Sequence, residues 1–175
     1  MAKSSSEQIE QDENKLLSEL EKNAIENIET IAKRCGFSRQ KTWRMMKQLE
    51  AKKMIWGYTA IIDEEMQDMI HFIMLIKRST KPLDKKIVDK IDSMQLEDIA
   101  LPLGLNIESS CFVHGNYDWI ISFTAKDIKQ AKNFCDILCN GFPGIIEHID
   151  LMQTLYFVRK QNIFNPDRKK LRELM

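Results

Sequence analysis

The chain has 175 residues, 43% apolar and 30% charged, which fits a soluble globular protein of one domain or two small ones and excludes a wholly disordered chain. The 26 Lys and Arg residues cancel the 26 Asp and Glu residues, which excludes a general polycation. The balance is uneven along the chain. Residues 1–29 hold eight acidic residues against three basic ones, whereas residues 33–53 hold eight basic residues (Lys33, Arg34, Arg39, Lys41, Arg44, Lys47, Lys52 and Lys53) against Glu50 alone. A short cationic segment on a neutral chain points to a local site for a polyanion.

Residues 1–8 are polar and are expected to form a flexible tail. From Ile9 to Leu20, the positions Ile9, Leu16, Leu17 and Leu20 fit a helix with one buried stripe. Asn27 stands as N-cap ahead of a second helix carrying Ile28, Ile31, Ala32 and Cys35, and Gly36 ends it because glycine most easily takes the left-handed turn. Ser38 is the N-cap of a third helix running to about Lys53. Two helices joined by a short Gly-containing turn form the helix-turn-helix pattern. On the third helix Thr42, Met45, Met46 and Leu49 make an inner stripe, and Arg39, Gln40, Trp43, Arg44 and Lys47 lie opposite. The N-terminal part of such a helix enters the major groove of DNA, where Arg and Gln reach base edges and Lys neutralises phosphates. The expected DNA contacts are therefore Ser38, Arg39, Gln40, Lys41, Trp43, Arg44 and Lys47. A solvated basic helix face is the plainer explanation of most charge runs; the coincidence with a recognition helix favours DNA. Trp43 fits either a DNA contact or the small core.

Residues 54–63 are rich in β-branched and aromatic types and are expected to form a linking strand within 54–66. The second half, 67–161, reads as strand 69–77, helix 83–96, strand 107–114, a tight Gly115-Asn116 turn, strand 117–125, a helix carrying Ile128, Ala131, Phe134, Cys135 and Leu138, and a long strand over about 146–159. This β-α-β-β-α-β order is the ferredoxin-like split βαβ arrangement. The fold class is thus α+β: an N-terminal helix-turn-helix (winged-helix-like) domain over 9–53, then a ferredoxin-like domain. A tail helix over 162–175 follows, with Asn165 as its cap and Pro166 at its first position. Two helices cover one face of such a sheet and leave the other open, yet strand 69–77 is apolar on both alternations: Ile70, Phe72, Met74 and Ile76 on one, Ile73 and Leu75 on the other. Sheet-to-sheet homodimerisation would cover the second set. Two DNA-binding units related by a two-fold axis imply a roughly palindromic operator in double-stranded DNA.

The ordered set Ile31-Ala32-Lys33-Arg34-Cys35-Gly36-Phe37-Ser38, Leu49-Glu50, Gly57-Tyr58-Thr59-Ala60-Ile61-Ile62-Asp63, Val113-His114-Gly115-Asn116-Tyr117-Asp118 and Phe142-Pro143-Gly144-Ile145 resembles the Lrp/AsnC (feast/famine) transcription regulators over about 12–160. The resemblance implies sequence-specific DNA binding and dimers joined through the C-terminal domains, often assembling to tetramers or octamers. It also implies an amino acid or similar small-molecule effector bound between dimers near the hairpin Gly115, Asn116, Tyr117 and Asp118. That hairpin gathers backbone N–H groups, an amide, a phenol and a carboxylate, which could meet a ligand's carboxylate and ammonium; Gly-Asn is also simply a good turn dipeptide. The chain departs from the family at three positions: Asn116 replaces the usual acidic residue of the hairpin, Met45 a common arginine, and Lys53 the glycine usual before the linking strand. Residues 95–106 make a longer connection than is typical.

Other chemistry is not indicated. Cys135 and Cys139, four apart on a helix without a second pair, read as buried apolar thiols rather than a metal site. His114 reads as a strand histidine beside the hairpin. No phosphate-binding glycine loop occurs, and no cofactor or catalytic set is expected, so the chain is read as a regulator and not an enzyme. Two alternatives use the same architecture. A sirohaem decarboxylase would need cationic pocket residues in the C-terminal half, and a small-molecule-binding oligomerisation module would lack DNA binding. The four cysteines fit a reduced, cytoplasmic compartment, and the longest apolar stretch, Met69–Ile76, falls far short of the ~20 residues needed to cross a membrane.

Overall fold

The computed structural model describes residues 6–94 and 96–174; of the tail expected over 1–8, residues 1–5 lie outside the described residues, and 6–8 are instead the first turn of a helix. The chain forms two compact units, one from the segment up to Ile61 together with Val158–Glu173, the other mainly from Ile62–Phe157.

The first unit begins with α1 (Ser6–Lys22), α2 (Ile28–Cys35) and α3 (Arg39–Ala51). The Asn27 side chain accepts the Glu29 N–H at 2.9 Å, filling a donor that the first turn of α2 leaves unpaired. Gly36 takes φ +68°, and the following Phe37 N–H reaches back to Ala32 O at 2.8 Å, closing the helix end in the left-handed manner. Ser38 accepts the Lys41 N–H and starts α3. Leu16, Leu20, Ile31, Cys35, Met45 and Leu49 are buried together, with Leu17, Phe37, Met46 and Ile55 packed around them. Thr42 is fully buried as well, its hydroxyl satisfied by Ser38 O at 3.1 Å.

Helix α3 stops at Ala51, not Lys53, because the chain turns left-handed at Lys53 (φ +58°). The expected strand over 54–63 does not form. A strand exists only where its N–H and C=O groups pair with a neighbouring strand, and among the described residues none runs beside this segment. Ile55 packs against the core of α1–α3, but Met54, Trp56, Tyr58 and Ile62 are left exposed, Trp56 by 96%.

In the second unit, β1 (Ile70–Arg78), β2 (Asn106–Phe112), β3 (Trp119–Ala125) and β4 (Ile146–Gln153) form one antiparallel sheet in the order β2-β3-β1-β4. Helices α4 (Lys85–Ser93) and α5 (Leu96–Ala100) connect β1 to β2, and α6 (Ile128–Gly141) connects β3 to β4, giving the split βαβ fold. The single helix expected over 83–96 is instead α4, capped by Asp84, followed by the separate α5. Phe72, Met74 and Ile76 of β1, Ile121 and Phe123 of β3, and Ala131, Phe134 and Leu138 of α6 make the fully buried core. The Phe123 ring meets Phe72 at 5.8 Å and Phe134 edge-on at 5.2 Å.

The other sheet face is only partly covered. Ile73 lies between Ser122 and Met152, and Leu75 between Ile120 and Asp150. These apolar side chains are flanked by polar Ser122 and Asp150, which narrows the patch expected from β1 alone.

The long final strand also ends early. β4 stops at Gln153, and the chain then forms a hairpin of β5 (Arg159–Lys160) and β6 (Ile163–Phe164), followed by α7 (Lys169–Leu174). The described helices of the first unit carry no hairpin of their own; the one in that unit comes from the C-terminal end of the chain.

Candidate nucleic-acid interface and effector hairpin

The inner stripe of α3 fixes its outer face. Because Thr42, Met45 and Leu49 are buried, Arg39, Gln40, Trp43, Arg44 and Lys47 are left exposed. Trp43, which suited either environment, is 57% exposed. Arg44 makes no ion pair or hydrogen bond among the described residues, so its guanidinium is available to a ligand. Arg39 lies 3.6 Å from Glu29 and Lys47 2.6 Å from Glu50; both are exposed pairs, weak enough to exchange for phosphate.

Ser38 and Lys41 have structural duties. Ser38 caps α3. Lys41 Nζ reaches Asp12 of α1 and sits over the Phe37 ring, so this ammonium is held by its own domain rather than offered outward. The hydrogen bond from Lys41 holds the Asp12 carboxyl below its usual range. On the opposite end of α3, Lys52 pairs at 2.5 Å with the buried carboxylate of Glu13. Part of the sequence's basic run therefore neutralises acidic α1. No reading of composition separates these inward lysines from the outward ones, because the separation depends on which turn of α3 faces α1.

The hairpin around Gly115–Asp118 is wider than a two-residue turn. Strand pairing ends at Phe112 and Trp119, and the Val113 N–H bonds to Asp118 O at 2.9 Å across the loop. Gly115 and Asn116 are exposed at its tip. Asp118 is a brace: its Oδ2 accepts the Arg78 N–H at 2.8 Å, and its own N–H bonds to Ile76 O. Tyr117 donates its hydroxyl to Asp150 Oδ2 at 2.5 Å, and His148 Nε2 lies 2.9 Å from Asp150 Oδ1. The bond to Asp150 pushes the Tyr117 phenol up, and Tyr117 and then His148 hold the Asp150 carboxyl low. Sequence reasoning missed His148 and Asp150; their two-residue spacing on one sheet face was a signal only once β4 was placed beside β1. A cavity of about 330 Å³ elsewhere in this unit is lined by Ile91, Met94, Ile107, Phe112 and Trp119 among others, and none of the four hairpin residues lines it.

The cysteines divide differently from expectation. Cys135 is half-buried against the core and its thiol is pushed up to about 11 by burial, but Cys139 is exposed, because only one side of α6 faces the sheet. Among the described residues no group of three His, Cys, Asp or Glu side chains could hold a metal ion. Among them, too, no helix is long and apolar enough to cross a membrane.

No family model matches the sequence, and no curated protein matches it at the sequence level. Solved structures do match the fold. A feast or famine regulatory protein from M. tuberculosis, complexed with L-methionine, superposes with a TM-score of 0.69 at 18% identity, covering 90% of this chain and 99% of that one. An AsnC family transcriptional regulator from Agrobacterium tumefaciens gives 0.63 at 14% identity, covering 89% and 96%. A transcriptional regulator from Neisseria meningitidis, in complex with L-Met, gives 0.62 at 13% identity, covering 90% and 97%. Over about nine-tenths of its length, the chain therefore has the fold of the Lrp/AsnC, or feast/famine, transcriptional regulators.

Proposed function

We propose that the protein is a sequence-specific DNA-binding transcriptional regulator of the Lrp/AsnC type, not an enzyme, that acts in the cytoplasm as a homodimer or an assembly of dimers. The observation that carries this reading is the exposed face of α3. Arg39, Gln40, Trp43, Arg44 and Lys47 stand opposite its buried stripe, on a fold shared with transcriptional regulators. Arg44 is the base-reading candidate because its guanidinium is uncommitted and can present a bidentate fork to guanine. Dimerisation is supported by the partly uncovered sheet face around Ile73, Leu75 and Met152. It is supported also by the unpaired segment 54–63, whose Met54, Trp56, Tyr58 and Ile62 would gain a partner in a second copy.

An amino acid is the effector class to test first, since two of the matched structures carry L-methionine. In this chain the hairpin 115–118 would meet it through exposed backbone and Asn116, while Asp118 remains committed to Arg78. Footprinting of genomic fragments tests the DNA reading. Protection of roughly palindromic sites, with half-sites one helical turn (~34 Å) or a multiple apart, is the expected result. Uniform binding without protected sites, or none at moderate salt, would refute it.

A further inference from the structure

The C-terminal segment carries a second cationic surface that the recognition helix does not account for. Residues 158–173 contain six basic residues against Asp167 and Glu173. This segment belongs to the same compact unit as α1–α3. Arg159 lies 4.0 Å and Arg168 5.3 Å from the centroid of the Phe164 ring, so one aromatic side chain on β6 lies within cation–π reach of two guanidinium groups. A cation–π contact positions a guanidinium without consuming its charge or its N–H donors. Arg168, Lys169 and Arg172, with Pro166 and Asp167, line an open cleft of about 820 Å³. Arg159, Arg168, Lys169 and Arg172 are all exposed, and none makes an ion pair among the described residues. Asp167 Oδ1 accepts the Lys169 N–H, which turns this carboxylate toward the backbone at the start of α7.

Holding like charges together is unfavourable unless a polyanion neutralises them, and two arginines gathered at one ring beside further exposed cations suit phosphate oxygens. We propose that this hairpin–helix segment is a second DNA-binding element, in which Arg168, Lys169 and Arg172 contact the phosphate backbone of duplex DNA beside the site engaged by α3. The inference rests on the DNA-binding reading of α3 and extends it. These contacts add affinity and register, and carry no sequence preference of their own.

The test is the salt dependence of duplex binding by the full chain, measured by fluorescence anisotropy. Three proteins are compared: wild type, the triple variant Arg168→Ala/Lys169→Ala/Arg172→Ala, and the charge-preserving variant Arg168→Lys/Arg172→Lys. Each lost phosphate contact removes about 0.9 from the slope of log K against log salt, so the alanine variant should lose about 2–3. Its preference for the operator over random duplex should be unchanged, and the lysine variant should keep the wild-type slope. Circular dichroism melting confirms that the variants are folded. If wild type binds and the folded alanine variant shows the same slope and affinity, this inference fails and the regulator reading stands. If wild type binds no duplex at all, both fall together.

Discussion

Lys41 Nζ lies 2.5 Å from Asp12 Oδ2 and 4.1 Å from the centre of the Phe37 ring, so the first turn of α3 is pinned to α1 by one of its own basic residues. The contact turns a residue of the cationic run from a candidate ligand group into a clamp. Replacing Lys41 by Ala should therefore lower the melting temperature of the protein while leaving the salt slope of DNA binding by the folded fraction unchanged. A lowered slope with an unchanged melting temperature would show that Lys41 faces phosphate instead.

The same pair gives a pH dependence of known sign. Because Lys41 holds the Asp12 carboxyl below its ordinary 3.8, the folded state binds this proton more weakly than the unfolded chain does. The stability it contributes is complete above the unfolded value and is lost as pH falls through the folded one. In thermal melts, the advantage of wild type over Asp12→Asn should be constant at neutral pH and shrink below about pH 4. An advantage that grows on acidification would contradict the assignment.

Arg44 and Lys47 should behave differently although both are exposed on α3. If Arg44 reads a base edge, Arg44→Ala costs about 1–3 kcal/mol at the preferred site and little on random duplex. Lys47 must leave Glu50 to reach a phosphate, so Lys47→Ala should weaken all sequences alike and lower the salt slope by about 1. Equal effects of the two substitutions on specific and random duplex would mean that α3 contacts the backbone alone.

Lys53 occupies a left-handed conformation, φ +58°, immediately after α3. A residue with a Cβ is strained there by about 1 kcal/mol, whereas glycine is not. Lys53→Gly should raise stability by about 0.5–1 kcal/mol in urea unfolding, the gain being reduced by the extra freedom of glycine in the unfolded chain. A loss of stability would mean that the lysine stem makes packing contacts worth more than the strain.

Asp118 should prove to be a structural residue of the hairpin. Asp118→Ala leaves the Arg78 N–H without its acceptor and should cost about 1 kcal/mol, whereas Asp118→Asn keeps an acceptor oxygen and should lose less. Thermal shift with L-methionine on wild type and the Asn variant then separates ligand contact from bracing. A methionine shift that survives Asp118→Asn places the ligand on the backbone and Asn116; a shift lost only on removing this carboxylate contradicts the bracing role.

The local elements were legible because their causes are local. Asn27, Gly36 and Ser38 mark helix ends through hydrogen bonds and a left-handed φ that each residue type supplies within a few positions of itself. The three-four spacing of Thr42, Met45 and Leu49 likewise fixes which side of α3 is inward, and so exposes Arg39, Arg44 and Lys47. Tertiary structure alone decided the rest, because it depends on partners distant in sequence. Residues 54–63 have strand-forming side chains but no neighbouring strand, and a ladder cannot be made by one segment. Lys41 is distinguished from Arg44 by Asp12, 29 residues away, and Asp118 is committed by an N–H that belongs to β1. Charge and spacing in the sequence placed a cationic helix where DNA could bind; packing determined which of those charges remain outside.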